Sequence, residues 1–332
     1  MTNVEIPTDL RNALDAELAA IPSKRLANAT VALSERYRRL RPARGGLILN
    51  SDEDVAAYAA YRMPATFAAI FSALVQLHDQ WLGEPPRTLL DVGAGPGTAM
   101  WAAQTVWPAL EDVLLLERDE RMIAFGERLA VRANAPGLRD ARWQQTDLLT
   151  RWEAEPHDLV IAGYVLNELP EERREAVIDT LWSKAAGCLV LIEPGTPAGF
   201  ALIRQARQQL IAAGATVLAP CPHDRACPMP ENDWCHFAQR VNRTRLHRAV
   251  KGGTLSYEDE KFSYVAVSRL ARPPIDGRVL RHPQILTGRV VLELCAPEGL
   301  RSHIVTRSKD RQAFRQARDL RWGDALLPED SE

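Results

Sequence analysis

Four of the five cysteines in this 332-residue chain are spaced to do metal chemistry. Cys221, Cys227 and Cys235 stand in the run Cys221-Pro-His-Asp-Arg-Ala-Cys227-Pro-Met-Pro-Glu-Asn-Asp-Trp-Cys235-His236, and Cys295 ends an apolar run sixty residues further on. Thiolates bind soft or borderline metals, and four of them suit tetrahedral zinc or an iron–sulfur cluster. Five residues and then seven separate the first three cysteines, which is neither the paired two-residue spacing of a zinc ribbon nor the tight triplet of radical enzymes. Spacing therefore leaves zinc and iron–sulfur both open. Prolines after Cys221 and Cys227 stiffen the loop, and His223 and His236 are close enough in sequence to be alternative ligands. The fifth cysteine, Cys188, lies inside an apolar strand-like run and reads as a small core residue.

A second constellation lies upstream, in Leu89-Leu-Asp91-Val-Gly93-Ala-Gly95-Pro-Gly97-Thr98. Glycines here let the backbone turn sharply after a strand and approach a ligand at the start of a helix. Asp91 with a G-x-G-x-G pattern resembles the first motif of class I S-adenosylmethionine-dependent methyltransferases more than a dinucleotide dehydrogenase loop. That resemblance covers roughly residues 85–215. It implies donor binding by Asp91, Gly93, Gly95 and Gly97, with Glu117 accepting from the ribose hydroxyls and Asp147 near the adenine amine. Methyl transfer from a sulfonium asks mainly for positioning, so no catalytic residue is named by pattern alone. Tyr164, Asn167 and Glu168, in Gly163-Tyr-Val-Leu-Asn167-Glu168-Leu-Pro170, are candidates by location; the Asn-Pro-Pro-Tyr turn of many amino-group methyltransferases is absent.

These residues must be positioned by a sheet. Thr88–Val92, Val113–Glu117, Asp158–Gly163 and Cys188–Ile192 are apolar runs suited to strands buried on both faces. Helical segments at Thr98–Val106, Glu120–Arg132, Glu171–Lys184 and Phe200–Ala213 alternate with them. Alternation of this kind predicts a doubly wound α/β sheet with ligands at the carboxyl ends of its strands. The expected organisation is an N-terminal helical region over residues 1–85, the Rossmann-like donor domain over 86–218, and a cysteine-cluster and basic extension over 219–332. In that last part a basic helix is expected over Phe237–Val250, strands over Lys261–Ser268, Arg278–Ile285 and Arg289–Cys295, and a second basic helix over Lys309–Trp322.

Net charge is only −2, but it is unevenly spread: His236–Asp324 carries 18 Lys/Arg against 9 Asp/Glu. A basic third on an otherwise acidic chain fits a polyanionic partner, and Arg240, Arg243, Arg245 and Arg248 are the expected contacts to a phosphate backbone. No apolar run approaches the roughly 20 residues of a membrane span. The first residues, Met1-Thr-Asn-Val-Glu-Ile-Pro7, resemble no signal peptide, so a cytoplasmic location is expected.

Taken together, the two constellations resemble the methyltransferase-like proteins of the small ribosomal subunit of bacteria and mitochondria. The matching segments include Tyr61-Arg62-Met-Pro64, the glycine loop, Leu166-Asn167-Glu168-Leu169, Ile192-Glu193-Pro194-Gly195-Thr196-Pro197, Asp233-Trp-Cys235-His236-Phe237, Val291-Leu-Glu-Leu-Cys295 and Ala317-Arg318-Asp-Leu-Arg321-Trp322-Gly323-Asp324. The resemblance implies S-adenosylmethionine binding, a 4Fe–4S cluster on Cys221, Cys227, Cys235 and Cys295, and a methyltransferase-like role on or with the small subunit, rRNA or a ribosomal protein being the acceptor, in assembly or translation. The alternatives are a non-catalytic assembly factor that binds RNA through a cluster-stabilised surface, and a small-molecule methyltransferase with a structural zinc. A metal on the four cysteines would pin the basic extension to the donor domain. Its loss is then expected to disturb the RNA-facing surface before the donor pocket.

Overall fold

The computed structural model describes residues 3–39, 49–242 and 257–328. A short strand β1 (Asn3–Val4) is followed by helices α1 (Thr8–Leu18), α2 (Ser23–Arg39), α3 (Asp52–Tyr61) and α4 (Met63–His78). Ser51 caps α3 by accepting from the Asp54 N–H, and three acids in its first turn suit the positive end of the helix dipole. Arg62 separates α3 from α4, whose Pro64 falls in the first turn where no hydrogen bond is lost.

The alternating part then runs β2 (Thr88–Val92), α5 (Thr98–Val106), β3 (Asp112–Glu117), α6 (Glu120–Ala130), α7 (Pro136–Arg139), β4 (Arg142–Gln145), β5 (His157–Gly163), α8 (Glu171–Lys184), β6 (Ala185–Pro194), α9 (Pro197–Ala212) and β7 (Thr216–Ala219). Strands β4, β3, β2, β5 and β6 lie side by side in that order, all parallel. The order reverses between β2 and β5, which makes the crevice at their carboxyl ends the expected ligand position. Leu89, Leu90, Leu115, Leu116, Leu159–Ala162 and Cys188–Ile192 are essentially fully buried, as strands covered by helices on both faces require.

The sheet continues beyond residue 218. Strand β9 (Tyr257–Ser268) pairs antiparallel with β6, and both β7 and β8 (Phe237–Asn242) pair antiparallel with β9. The basic helix expected over Phe237–Val250 is thus corrected: its described part is strand β8, because Phe237 and Val241 are buried when that segment pairs with β9. Arg240 is therefore on a strand, and Arg243, Arg245 and Arg248 lie outside the described residues.

A second, antiparallel sheet holds β10 (Gly277–Val279), β11 (Gln284–Leu286), β12 (Arg289–Ala296), β13 (Gly299–Thr306) and β14 (Ala325–Leu326). Helix α10 (Arg311–Asp319), capped by Asp310, packs Phe314 and Ala317 against Val290, Leu292 and Leu294 of this sheet. The loop between β7 and β8 carries Cys221, Cys227 and Cys235, and it touches both sheets. Arg281 forms an ion pair with Asp233 at 2.7 Å, and Trp234 Nε1 donates to the Gly195 carbonyl at 3.0 Å.

Candidate functional site

At the end of β2 the chain makes three left-handed steps, at Gly93 (φ 68°), Gly95 (φ 55°) and Gly97 (φ 81°). Each occupies backbone space that strains a residue with a side chain. They differ in surroundings. A Cβ on Gly93 would overlap the Val165 side chain, and one on Gly97 would meet Met100 and Trp143 at 3.0 and 3.1 Å. A Cβ on Gly95 would have nothing within 4 Å. Gly95 is the point at which the loop opens onto free space, as a cradle for a ligand must.

The sheet aligns the sequence-chosen acids around this loop. Glu117 ends β3, and its Oε2 accepts from the Gly95 N–H at 2.8 Å while Oε1 accepts from the N–H groups of Arg118 (2.8 Å) and Asp119 (2.9 Å). A carboxylate has about four lone-pair sites, so this latch of three N–H groups leaves one site, on Oε2, for a ligand hydroxyl. Asp91 is 2% exposed and its Oδ2 has no hydrogen-bond partner. Burial pushes its carboxyl up to about 8, opposed by the Met100 N–H and assisted by the nearby Glu117 charge. Asp147 follows β4 at the same end of the sheet, where Gln145 lies opposite Glu117. Its Oδ1 accepts from the Leu149 N–H at 2.9 Å, and it lines an open groove of about 390 Å³ with Gln144, Thr150 and Arg151.

Beyond β5 the chain turns sharply. Tyr164 has φ 64°, uncommon for a bulky residue, and its hydroxyl lies 3.4 Å from Glu260 on β9. A single 3-10 turn, Leu166–Glu168, follows. The fully buried Glu193 holds that turn: its carboxylate accepts from the Leu166 N–H (2.8 Å), the Asn167 N–H (3.4 Å) and Asn167 Nδ2 (2.6 Å). Burial raises Glu193 to about 7 despite these donors. Glu168 is also pushed up to about 7, by crowding around its carboxyl and by the Glu117 charge, although part of the residue faces solvent.

Three residues of this shell escaped the sequence reading as site residues. Glu193 is one. The others are Arg62, between α3 and α4, and Glu260, whose carboxylate receives both Arg62 Nη groups at 3.0 and 3.4 Å. The signal for Glu193 was a lone acid closing a wholly apolar strand. The Arg62–Glu260 pair spans 198 residues and left none.

The four predicted cysteines line one cavity, together with Phe200, Met229, Phe237 and Leu280. The space is about 30 Å³, room for roughly two waters. Among the described residues no group of three or more His, Cys, Asp or Glu side chains is arranged to hold a metal ion. The expected metal-binding extension is corrected to that extent: the four thiols come together around one apolar space, but not as a formed single-ion cage. Burial, with the neighbouring cysteines adding to it, holds Cys235 far above the ordinary thiol range; burial puts Cys295 at about 12 and also raises Cys221. His223 approaches Cys295 Sγ at 3.7 Å, whereas His236 stacks on Trp234 with ring centroids 5.0 Å apart. Cys188 is buried in β6, as a core residue should be. Arg240 is not a free cation: it pairs with Asp259 at 2.9 Å and lies over the Tyr257 ring at 3.9 Å.

With this geometry in hand, the comparisons with known proteins are specific. The family described as mitochondrial small ribosomal subunit Rsm22 matches residues 52–327. The human mitochondrial ribosome assembly protein METTL17 is 31% identical over 293 residues, covering 82% of this chain and 62% of that protein. The Saccharomyces cerevisiae mitochondrial ribosome assembly protein RSM22 is 22% identical, covering 78% of this chain and 64% of that one. The chain thus spans less than two thirds of either relative. Among solved structures, the magnesium protoporphyrin IX methyltransferase of Synechocystis with bound S-adenosylmethionine aligns at TM-score 0.40 and 17% identity, over 81% of this chain and 100% of that one. At a score of this size the fold rests on the strand order itself. The cytoplasmic location expected above is corrected, since the family and both relatives are mitochondrial by description. The physical reason for the miss is plain: a chain without an apolar span meets the same demands in any aqueous compartment.

Proposed function

The chain belongs to the Rsm22 family of the mitochondrial small ribosomal subunit, and from that premise we propose that it is a methyltransferase-like assembly factor of a small ribosomal subunit. It binds S-adenosylmethionine at the glycine loop, with Asp91, Gly93, Gly95, Gly97, Glu117 and Asp147 as the donor shell. It holds a 4Fe–4S cluster on Cys221, Cys227, Cys235 and Cys295. The donor set favours such a group: four thiols face one space, and no carboxylate lines it. A tetrahedral zinc would draw its sulfurs to about 3.8 Å from one another, whereas a multi-iron cluster seats each thiolate on a different iron. The choice of cluster over zinc rests on the family resemblance of the cysteine run.

The observation that carries the reading is a single rung of the sheet. Glu193 on β6 lies directly opposite Ser263 on β9. Glu193 holds the turn of Tyr164, Asn167 and Glu168, while the Ser263 hydroxyl donates to the Cys235 carbonyl at 2.8 Å. Donor turn and cysteine loop are thus built on adjacent strands, about 4.8 Å apart. The RNA contact in this reading is the exposed basic set Arg307, Lys309, Arg311, Arg315 and Arg318 on and before α10, none of which has an ion-pair partner among the described residues, together with Arg243, Arg245 and Arg248.

A second reading, an assembly factor without turnover, is favoured by the state of the turn itself. The Tyr164 hydroxyl points to Glu260 and the Asn167 amide is held by Glu193 and the Tyr164 carbonyl. Two of the three candidates by location, Tyr164 and Asn167, are thus engaged in holding the turn.

The test is sedimentation of anaerobically prepared protein with small-subunit particles, alongside iron and sulfide analysis. The reading expects brown protein, particle association lost in Cys227→Ser, and donor binding lost in Glu117→Ala. Association and assembly that persist in Glu117→Ala select the form without turnover. Colourless protein that ignores small-subunit particles overturns the reading.

A further inference from the structure

Two arginines are buried beside the four cysteines, and neither pairs with a carboxylate among the described residues. Arg207 on α9 is 5% exposed, and Arg278 on β10 is 1% exposed. Both line the cysteine cavity. Arg278 stands directly opposite Cys295 in the β10–β12 ladder. Its Nε donates to the Pro220 carbonyl and its Nη1 to the Gly323 carbonyl, each at 2.9 Å; its Nη2 has no partner. Arg207 Nη2 donates to the His223 carbonyl at 2.7 Å, while its Nε is likewise without a partner. Among the described residues no carboxylate lies within ion-pair distance of either guanidinium. Asp224 is taken by Arg272 and Asp233 by Arg281, and Asp324, whose charge reaches Arg278, is bound to the Arg321 N–H at 2.7 Å. Arg204 also lines the cavity but is exposed, so water screens it.

A guanidinium is always charged, and a buried charge without a counter-charge is strongly destabilising. An isolated pair of them in one cavity is worse. Asp324 acts on Arg278 only from beyond ion-pair distance, and among the described residues the groups lining the cavity that can supply negative charge in number are the four thiols. Four thiolates around a doubly positive metal core leave a dianion, whether the core is an oxidised 4Fe–4S cluster or a zinc ion. Two guanidiniums balance it.

From this arrangement we infer that Arg207 and Arg278 are the built-in counter-charge of a dianionic four-thiolate metal group, positioning residues that set how tightly it is held. The inference rests on the metal-group reading above, but not on which metal it is. Each unpartnered N–H would supply a charge-assisted hydrogen bond to the group. Carbonyls of Pro220 and His223, which flank Cys221 in the cysteine loop, hold the two guanidiniums in place, so the loop that supplies the thiols also aims the cations.

The test uses the full chain, purified anaerobically and loaded in parallel with ferrous iron plus sulfide, and with zinc. Metal retention is read by chelator competition, and the midpoint of the iron-loaded form by spectroelectrochemistry. Arg207→Gln and Arg278→Met should each lose at least tenfold in retention, and Arg207→Lys and Arg278→Lys should recover most of it. One-electron reduction adds a negative charge to the group, so removing a cation should also move the midpoint downward; a tenfold change in relative affinity is about 59 mV. If Arg278→Met fails to fold for want of its two carbonyl bonds, Arg207→Gln and the two lysine variants still decide. Wild-type retention in the glutamine and methionine variants overturns the inference. So do lysine variants as poor as the neutral ones, since that marks a shape requirement rather than a charge. Wild-type protein that takes up zinc but no iron and sulfide overturns the cluster reading alone, and the same ranking of variants in the zinc competition then upholds the counter-charge. Wild-type protein that takes up neither overturns both.

Discussion

Gly95 and Gly93 offer a sharp separation between folding and ligand binding. Both lie in left-handed backbone, at φ 55° and 68°, so an alanine at either carries a strain of about 1–2 kcal/mol. For Gly95→Ala that is nearly the whole structural cost, because the new Cβ has nothing within 4 Å. A domain of this size should then melt roughly 2–8 °C lower. The methyl group would, however, project into the space where a donor must approach the loop. An overlap there costs about 1–3 kcal/mol of binding, or about 5- to 150-fold in dissociation constant. For Gly93→Ala the order reverses. Its Cβ would overlap the buried Val165 side chain, adding a core overpacking penalty of about 1–3 kcal/mol to the strain. Thermal unfolding without ligand, and calorimetric titration with S-adenosylmethionine, measure the two effects separately. Gly95→Ala should keep its fold and lose the donor; Gly93→Ala should lose stability first. If Gly95→Ala binds the donor as tightly as the unaltered protein, the open side of the loop is not the donor site and the assignment of Gly95 fails.

Two further outcomes follow from buried carboxyls. Glu193→Ala strands the Leu166 and Asn167 donors it now satisfies; at 1–3 kcal/mol for an unsatisfied buried group, with water reaching some of them, a loss of about 3 kcal/mol is expected in denaturant unfolding, and a loss under about 1 kcal/mol would show that the turn stands without its latch. Asp91, raised from 3.8 to about 8 in the folded chain, binds its proton more tightly folded than unfolded. Its contribution is therefore complete at low pH, falls as pH rises from about 4 to 8, and is flat above. Stability of the unaltered protein relative to Asp91→Asn should decline across that window; a difference that does not change with pH would remove Asp91 as a protonated buried acid.

The parts of the fold legible in sequence are those where one physical demand dominates. Strands β2, β3, β5 and β6 are buried on both faces, so their apolar runs stand out, and the expected Thr88–Val92 agrees with β2 to the residue. Strand β4, Arg-Trp-Gln-Gln at the sheet edge, carries no such run and went unseen. Segment Phe237–Asn242 has the composition of a basic helix, yet a long partner strand overrides that local preference. The glycine loop and Glu117 were legible because backbone geometry and strand ends fix them. Arg207 and Arg278 were not, because an arginine on a helix or a strand reads as a surface cation until the fold encloses it.

The rung that joins Glu193 to Ser263 changes how the two sites must depend on each other. A metal that merely pinned the basic extension would, when lost, disturb the far sheet and spare the donor pocket. Here the cysteine loop is fastened at Cys235 by Ser263, and by Trp234 to the Gly195 carbonyl, two residues past Glu193. It is fastened to the second sheet by Arg281–Asp233 and by Arg278 to the Pro220 carbonyl. The loop is therefore held from both sides, and its two fastenings toward the donor turn flank Glu193: Ser263 opposite it on β9 and Gly195 just past the end of β6. Loosening the loop relaxes β6 and β9 where they carry the turn of Tyr164 and Asn167. On this geometry the proposed metal group and the proposed donor site are linked through a single pair of strands, β6 and β9.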